Sequence, residues 1–223
     1  MKLMWSQDLD GSKFRAKDGV RKGRIKERAS FNDAAVTGRL DFYPFVDADL
    51  PAEQHLRVGV SGYYGGTDNS NGGGDNGVDN TFSMCSADFE YDVSRFRFRG
   101  VAAYGKNSDA DDLQDAFDRD TGEEVFGWYL EGGVSVMPDS WKSGKLAEAD
   151  IIPFIRYEEY DTQHEVPDNV DKDDANDRTE VAIGVNVPLT AQFVVKADYQ
   201  FMDDESSASR KNSFNLGMGW VFQ

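Results

Sequence analysis

The sequence predicts an all-β protein, an antiparallel up-and-down transmembrane β-barrel with about ten strands in its 223 residues. Three observations predict it. The last twelve residues alternate strictly, with Phe214, Leu216, Met218, Trp220 and Phe222 on one face and Ser213, Asn215, Gly217 and Gly219 on the other, Val221 alone breaking the polar side. Strands upstream carry charge in mid-strand opposite an apolar face, the reverse of a soluble core, and charge there needs water or partners. The connections fall into a compact class and a long, highly polar class, as turns and external loops of such barrels do.

Alternation places strands at residues 2–9, 35–45, 55–65, 82–93, 95–106, 124–137, 150–162, 178–188, 191–203 and 211–222. The fifth sets Arg95, Arg97 and Arg99 against Phe96 and Phe98, so three guanidiniums share a face at intervals of about 7 Å. The eighth sets Val181, Ile183, Val185 and Val187 against Glu180, Ala182, Gly184 and Asn186. The ninth sets Phe193, Val195, Ala197, Tyr199 and Phe201 against Gln192, Lys196, Asp198 and Gln200. Compact connections are expected at 93–95 and 188–191, with moderate ones at 47–54 and 138–149. Long polar ones are expected at 10–34, 66–81, 107–123 and 163–177, with a shorter one near 204–210, and all of them leave from the same end of the sheet. If the final strand descends to the periplasm, those long connections lie outside the cell.

Composition narrows the classes. No linker divides residues 1–223, so one domain is expected. A mean hydropathy of −0.61 and the absence of any apolar run near 18 residues exclude a helical membrane span but not barrel strands, which are only half apolar. A net charge of −17 argues against nucleic acid as a partner. Cys85 is the single cysteine, which rules out a disulfide framework and a cysteine-based zinc site. Residues 1–10 lack the apolar region of a signal peptide, so the chain is expected to begin inside a longer gene.

The segments Val36-Thr37-Gly38-Arg39-Leu40-Asp41-Phe42-Tyr43-Pro44, Arg57-Val58-Gly59-Val60-Ser61-Gly62-Tyr63-Tyr64-Gly65, Ile152-Pro153-Phe154-Ile155-Arg156-Tyr157 and Val195-Lys196-Ala197-Asp198-Tyr199-Gln200, in that order and followed by the closing aromatic strand, resemble the C-terminal portion of Gram-negative porins of the phosphate-selective type. The resemblance covers most of the chain. It implies part of a larger barrel in the cell outer membrane and passive diffusion of small hydrophilic solutes or ions, with an anion or phosphate preference. It also implies no enzymatic activity and no cofactor. The implied partners are outer-membrane lipid, lipopolysaccharide, barrel-assembly machinery acting on the C-terminal strand and, by homotrimer formation, further copies of the chain.

Strand parity collects the candidate pore-lining residues on one face. The cations are Arg39, Arg57, Arg95, Arg97, Arg99, Arg156 and Lys196; the anions are Asp41, Asp88, Glu90, Asp92, Glu131, Glu180 and Asp198. Opposed basic and acidic walls in water would sort solutes by charge and size. The plainer reading makes them inter-strand ion pairs, above all between Arg95, Arg97, Arg99 and Asp88, Glu90, Asp92 across the tight hairpin. A second candidate is the run Lys13, Arg15, Lys17, Arg21, Lys22, Arg24, Lys26 and Arg28, either a mouth-covering anion collector or a solvated loop balancing carboxylates.

Other chemistry is less well supported. The clusters Asp109, Asp111, Asp112, Asp115, Asp118, Asp120 and Asp168, Asp171, Asp173, Asp174, Asp177 lack the spacing of a calcium loop and read as solvated. The Gly72-Gly73-Gly74-Asp75 stretch is no repeated calcium-binding array. A hydrolase would need partners for a histidine, yet His55 is expected in a short turn and His164 in a long external loop, at opposite ends of the strands. A small closed barrel with a structural or adhesive role remains the other alternative, because ten strands enclose a lumen narrow enough for side chains to fill.

Overall fold

The computed structural model describes residues 1–24, 34–45, 54–67, 78, 80–206 and 211–222. Lys26, Arg28 and the Gly72 to Asp75 stretch lie outside the described residues, as does most of the expected turn at 47–54. Ten strands form one sheet in chain order: β1 (Lys2–Gln7), β2 (Ala34–Phe42), β3 (Gln54–Gly66), β4 (Thr81–Val93), β5 (Phe96–Asn107), β6 (Glu124–Val134), β7 (Ile152–Glu165), β8 (Asp177–Thr190), β9 (Phe193–Asp204) and β10 (Lys211–Trp220). Every neighbouring pair is antiparallel. No described helix is long and apolar enough to cross a membrane.

Two expectations need correction. The sheet is not closed into a barrel: among the described residues β1 pairs only with β2 and β10 only with β9. The acidic connection after β5 is also not all loop: it folds into a short helix, α1 (Ala110–Phe117), with Ala110 and Leu113 buried beneath it.

The two faces are chemically opposite. One carries Leu40, Phe42, Val60, Phe96, Leu130, Ile155, Ile183, Phe214, Leu216 and Met218, all largely exposed, with Ile183 at 51%, Leu216 at 72% and Met218 at 81%. The other carries the charges, and the largest fully buried side chains are mostly polar: Gln163, Asn80, Asn107 and Asp8 beside Phe14 and Leu113. Burial therefore lies on the polar side and at the sheet ends, which is not how a soluble sheet places its core.

Aromatics on the apolar face gather towards the two ends of the strands. Phe96 stacks on Phe98 at 6.3 Å, Trp220 meets Phe193 at 5.7 Å, and Phe42 ends β2 on the same side. Tyr64, Tyr104, Trp128 and the Tyr199 and Phe201 pair, 4.9 Å apart, lie towards the opposite end.

Candidate functional site: a charged face beneath a basic strap

Arg39, Asp41, Arg57, Asp88 and Glu90 form one network over β2, β3 and β4. Arg39 reaches Asp41 and Asp88, each at 2.8 Å, and also bonds the Ser61 hydroxyl at 2.9 Å. Arg57 reaches Asp88 at 2.6 Å, Asp41 at 3.2 Å and Glu90 at 3.2 Å. The Arg39 guanidinium must cross β3 to reach β4, and it crosses at Gly59. A Cβ on Gly59 would lie 2.3 Å from Arg39 Nη2 and 2.8 Å from Asp88 Oδ2. Gly59→Ala is therefore expected to push the guanidinium aside, break the Arg39–Asp88 pair and lower the urea midpoint of the folded protein. Most of that loss should vanish in an Arg39→Ser background, where nothing crosses; an equal loss in both backgrounds would remove the crossing as the cause.

The hairpin ion pairs expected across Ser94 and Arg95 are not made. Asp88 and Glu90 are held by Arg39 and Arg57 instead. Arg95 lies in the turn itself, its guanidinium 3.5 Å from the exposed Asp139, and Arg97 approaches Asp150 at 3.9 Å. Arg99 and Glu131 take part in no ion pair among the described residues. Farther along, Arg156 pairs with Glu158 and lies over the Tyr129 ring at 3.8 Å. Glu180 stands in register with Glu158. Lys196 is 3.6 Å from Asp198 and 4.7 Å from the Phe154 ring, while Asn215 donates to Asp198 at 3.0 Å.

Register aligns five of these residues in one lateral row. Arg57 opposes Glu90, Glu90 opposes Arg99, Arg99 opposes Glu131, and Glu131 opposes Arg156, so charge alternates strand by strand from β3 to β7. The row continues without charge through Ala182, Gln200 and Asn212's neighbour Ser213. Neighbouring strands are about 4.8 Å apart, which sets the period of the row.

Asp150, in the connection between β6 and β7, was not foreseen. Burial alone would raise its carboxyl, but the Ser135 hydroxyl at 2.7 Å, the Ile151 N–H at 2.8 Å, and the charges of Lys142 and Arg97 outweigh that and hold it below the ordinary carboxylate range. A depressed folded value stabilises the folded state above the unfolded carboxylate value, and that stabilisation is lost as pH falls through the folded value. The Ile151 amide resonance is expected to titrate with a midpoint below 3.8, the unperturbed value. Asp150→Asn should abolish the titration, and a midpoint above 3.8 in the parent protein would contradict the assignment.

Residues 8–24 cross the charged face at the end where the long connections leave. Two short 3-10 turns, Gly11–Lys13 and Val20–Gly23, shape this strap. It is pinned near β3 and β4 by a bridge from Leu9 to Thr67 and by Phe14, fully buried, edge-on to Phe82 at 6.2 Å. On the far side the Thr162 hydroxyl donates to the Ala16 carbonyl, and Arg178 donates to the Lys17 carbonyl at 3.0 Å. Gly23 is required where Phe14 folds back, since a Cβ there would lie 2.3 Å from Phe14 Cε1. Lys13, Arg15, Lys17, Arg21, Lys22 and Arg24 all remain exposed along the strap.

The acidic loops hold no metal-ligand geometry among the described residues. Asp173 accepts the Ala175 N–H at 2.9 Å, and Asp161 accepts Lys172 at 2.8 Å. The two histidines sit in strands rather than loops. His55 is near the start of β3, and His164 is near the end of β7, 5.7 Å from the Phe126 ring.

No protein-family model matches the chain, and no curated protein matches it in sequence.

Proposed function

We propose that this chain forms the wall of an outer-membrane pore for the passive diffusion of small hydrophilic solutes, as expected of a porin of the phosphate-selective type. The observation that carries the reading is the inverted partition of the sheet. Ten strands expose an apolar face with aromatics towards both ends, while the ion-paired, hydrogen-bonded face carries the strap. Lipid on the first side satisfies the apolar residues; water on the second satisfies the charges. In this reading β1 and β10 have their backbone edges paired within the membrane, because hydrocarbon offers no substitute hydrogen bonds.

The strap gives the pore its sign at the mouth. Arg15, Lys17, Arg21, Lys22 and Arg24 stay exposed on the strap while Lys13 is paired with Asp10 at 2.7 Å, so the strap attracts anions at contact, and only carboxylates beyond about 8–10 Å are screened at physiological salt. The direct test is ion conductance in planar bilayers of the assembled barrel, in which the β1 and β10 edges are paired. Stepwise conductance increments that persist at low voltage are expected; insertion without conductance, shown by heat-modifiable mobility alone, would leave a wall without a pore and sink the reading.

A further inference from the structure

Arg99 and Glu131 are the two members of the lateral charged row that have no ion pair among the described residues. They are register partners on β5 and β6, their side chains share the polar face, and Arg99 is exposed. Their outer neighbours are engaged elsewhere: Glu90 is held by Arg57 at 3.2 Å and Arg156 by Glu158. Neither flanking group therefore competes for Arg99 or Glu131. The result is one open guanidinium beside one open carboxylate, on backbones about 5 Å apart.

We propose that Arg99 and Glu131 form a subsite for small zwitterionic solutes, the guanidinium receiving the solute carboxylate and the Glu131 carboxylate receiving its ammonium. This rests on the polar face being a water-filled lumen. A simple anion at Arg99 meets the repulsion of Glu131 beside it, and a simple cation at Glu131 meets that of Arg99. A solute carrying both charges a few bonds apart meets neither. Because Arg99 and Glu131 form no ion pair with each other among the described residues, the solute displaces no direct contact between them, and an exposed pair there would be worth only about 0–1 kcal/mol. The planar guanidinium fork favours a carboxylate in particular, by two parallel hydrogen bonds. The row as a whole alternates in sign, so its field falls off quickly and acts on a dipole at contact rather than on net charge at a distance.

The experiment is a titration of the full chain, folded in detergent micelles and 15N-labelled, following the Arg99 Nε–H resonance. Glycine, acetate and ethylammonium chloride are added separately at matched ionic strength. Glycine should give a saturable shift at Arg99 that neither single-charge solute reproduces. Glu131→Gln, which breaks no ion pair, should keep the parent circular-dichroism spectrum and raise the glycine half-saturation about tenfold or more, equivalent to about 1.4 kcal/mol. Equal shifts with acetate and glycine would overturn the proposal, as would an unchanged glycine response in Glu131→Gln. Because binding is read in micelles, a chain that binds glycine but passes no current in bilayers would refute the pore reading alone.

Discussion

Leu216→Arg and Ile183→Arg are expected to block assembly into lipid, whereas Asn215→Arg and Gln200→Arg are tolerated. Leu216 and Asn215 are adjacent in β10, so depth in the membrane cannot separate them; only the face differs. Leu216 and Ile183 are exposed on the apolar side, where an arginine near mid-bilayer costs about 2–4 kcal/mol. At Asn215, which already donates to Asp198, an arginine gains a carboxylate partner instead. Heat-modifiable gel mobility and urea unfolding of protein refolded into vesicles measure the difference. Equal tolerance at Leu216 and Asn215 would erase the assignment of a lipid face and an aqueous face, and with it the pore.

Replacing Arg97, Arg99 and Arg156 together by Gln is expected to move the reversal potential towards cation preference. These guanidiniums are spread across β5 and β7 on the polar face, and their removal leaves Glu90, Glu131, Glu158 and Glu180 beside the same path. At about 7 Å in water each charge contributes about 0.6 kcal/mol to a passing monovalent ion. Three charges, reduced by about half through screening, amount to about 1 kcal/mol, or about a fivefold change in the local concentration of each ion. Single replacements should do less, because Glu158 and Asp150 can take new partners. A reversal potential unchanged in the triple variant, measured in a salt gradient, would leave these arginines as braces of the wall.

The strands were legible because their period is two and their charges stand in mid-strand, so the ends of most elements fall within a few residues of those the alternation predicts. The lateral row was legible in principle: once the two-residue turn at Ser94 and Arg95 sets the hairpin register, Glu90 must oppose Arg99. Partner choice was not. Asp88 turns to Arg39, two strands away, only because Gly59 leaves room, and pairwise reading of the hairpin contains no term for a missing side chain on a third strand. The strap was legible only as one of two alternatives. Its basic spacing reads as a mouth-covering segment or a solvated loop, and what anchors it, one buried Phe14 and carbonyls that accept from Thr162 and Arg178, depends on contacts far apart in sequence. Helix α1 went unread because eight residues give too few turns for a period to emerge.

The strand order carries a consequence for how such a wall can change size. Every strand bonds only to its neighbours in the chain, from β1 to β10, so no pairing skips over another. Duplicating or deleting one hairpin would therefore add or remove two staves while leaving all other registers intact. The chain would still enter and leave on the same sides, because staves change in twos. Circumference in this architecture is a countable, heritable quantity that gene rearrangement can adjust in even steps without shifting the register of any remaining strand pair.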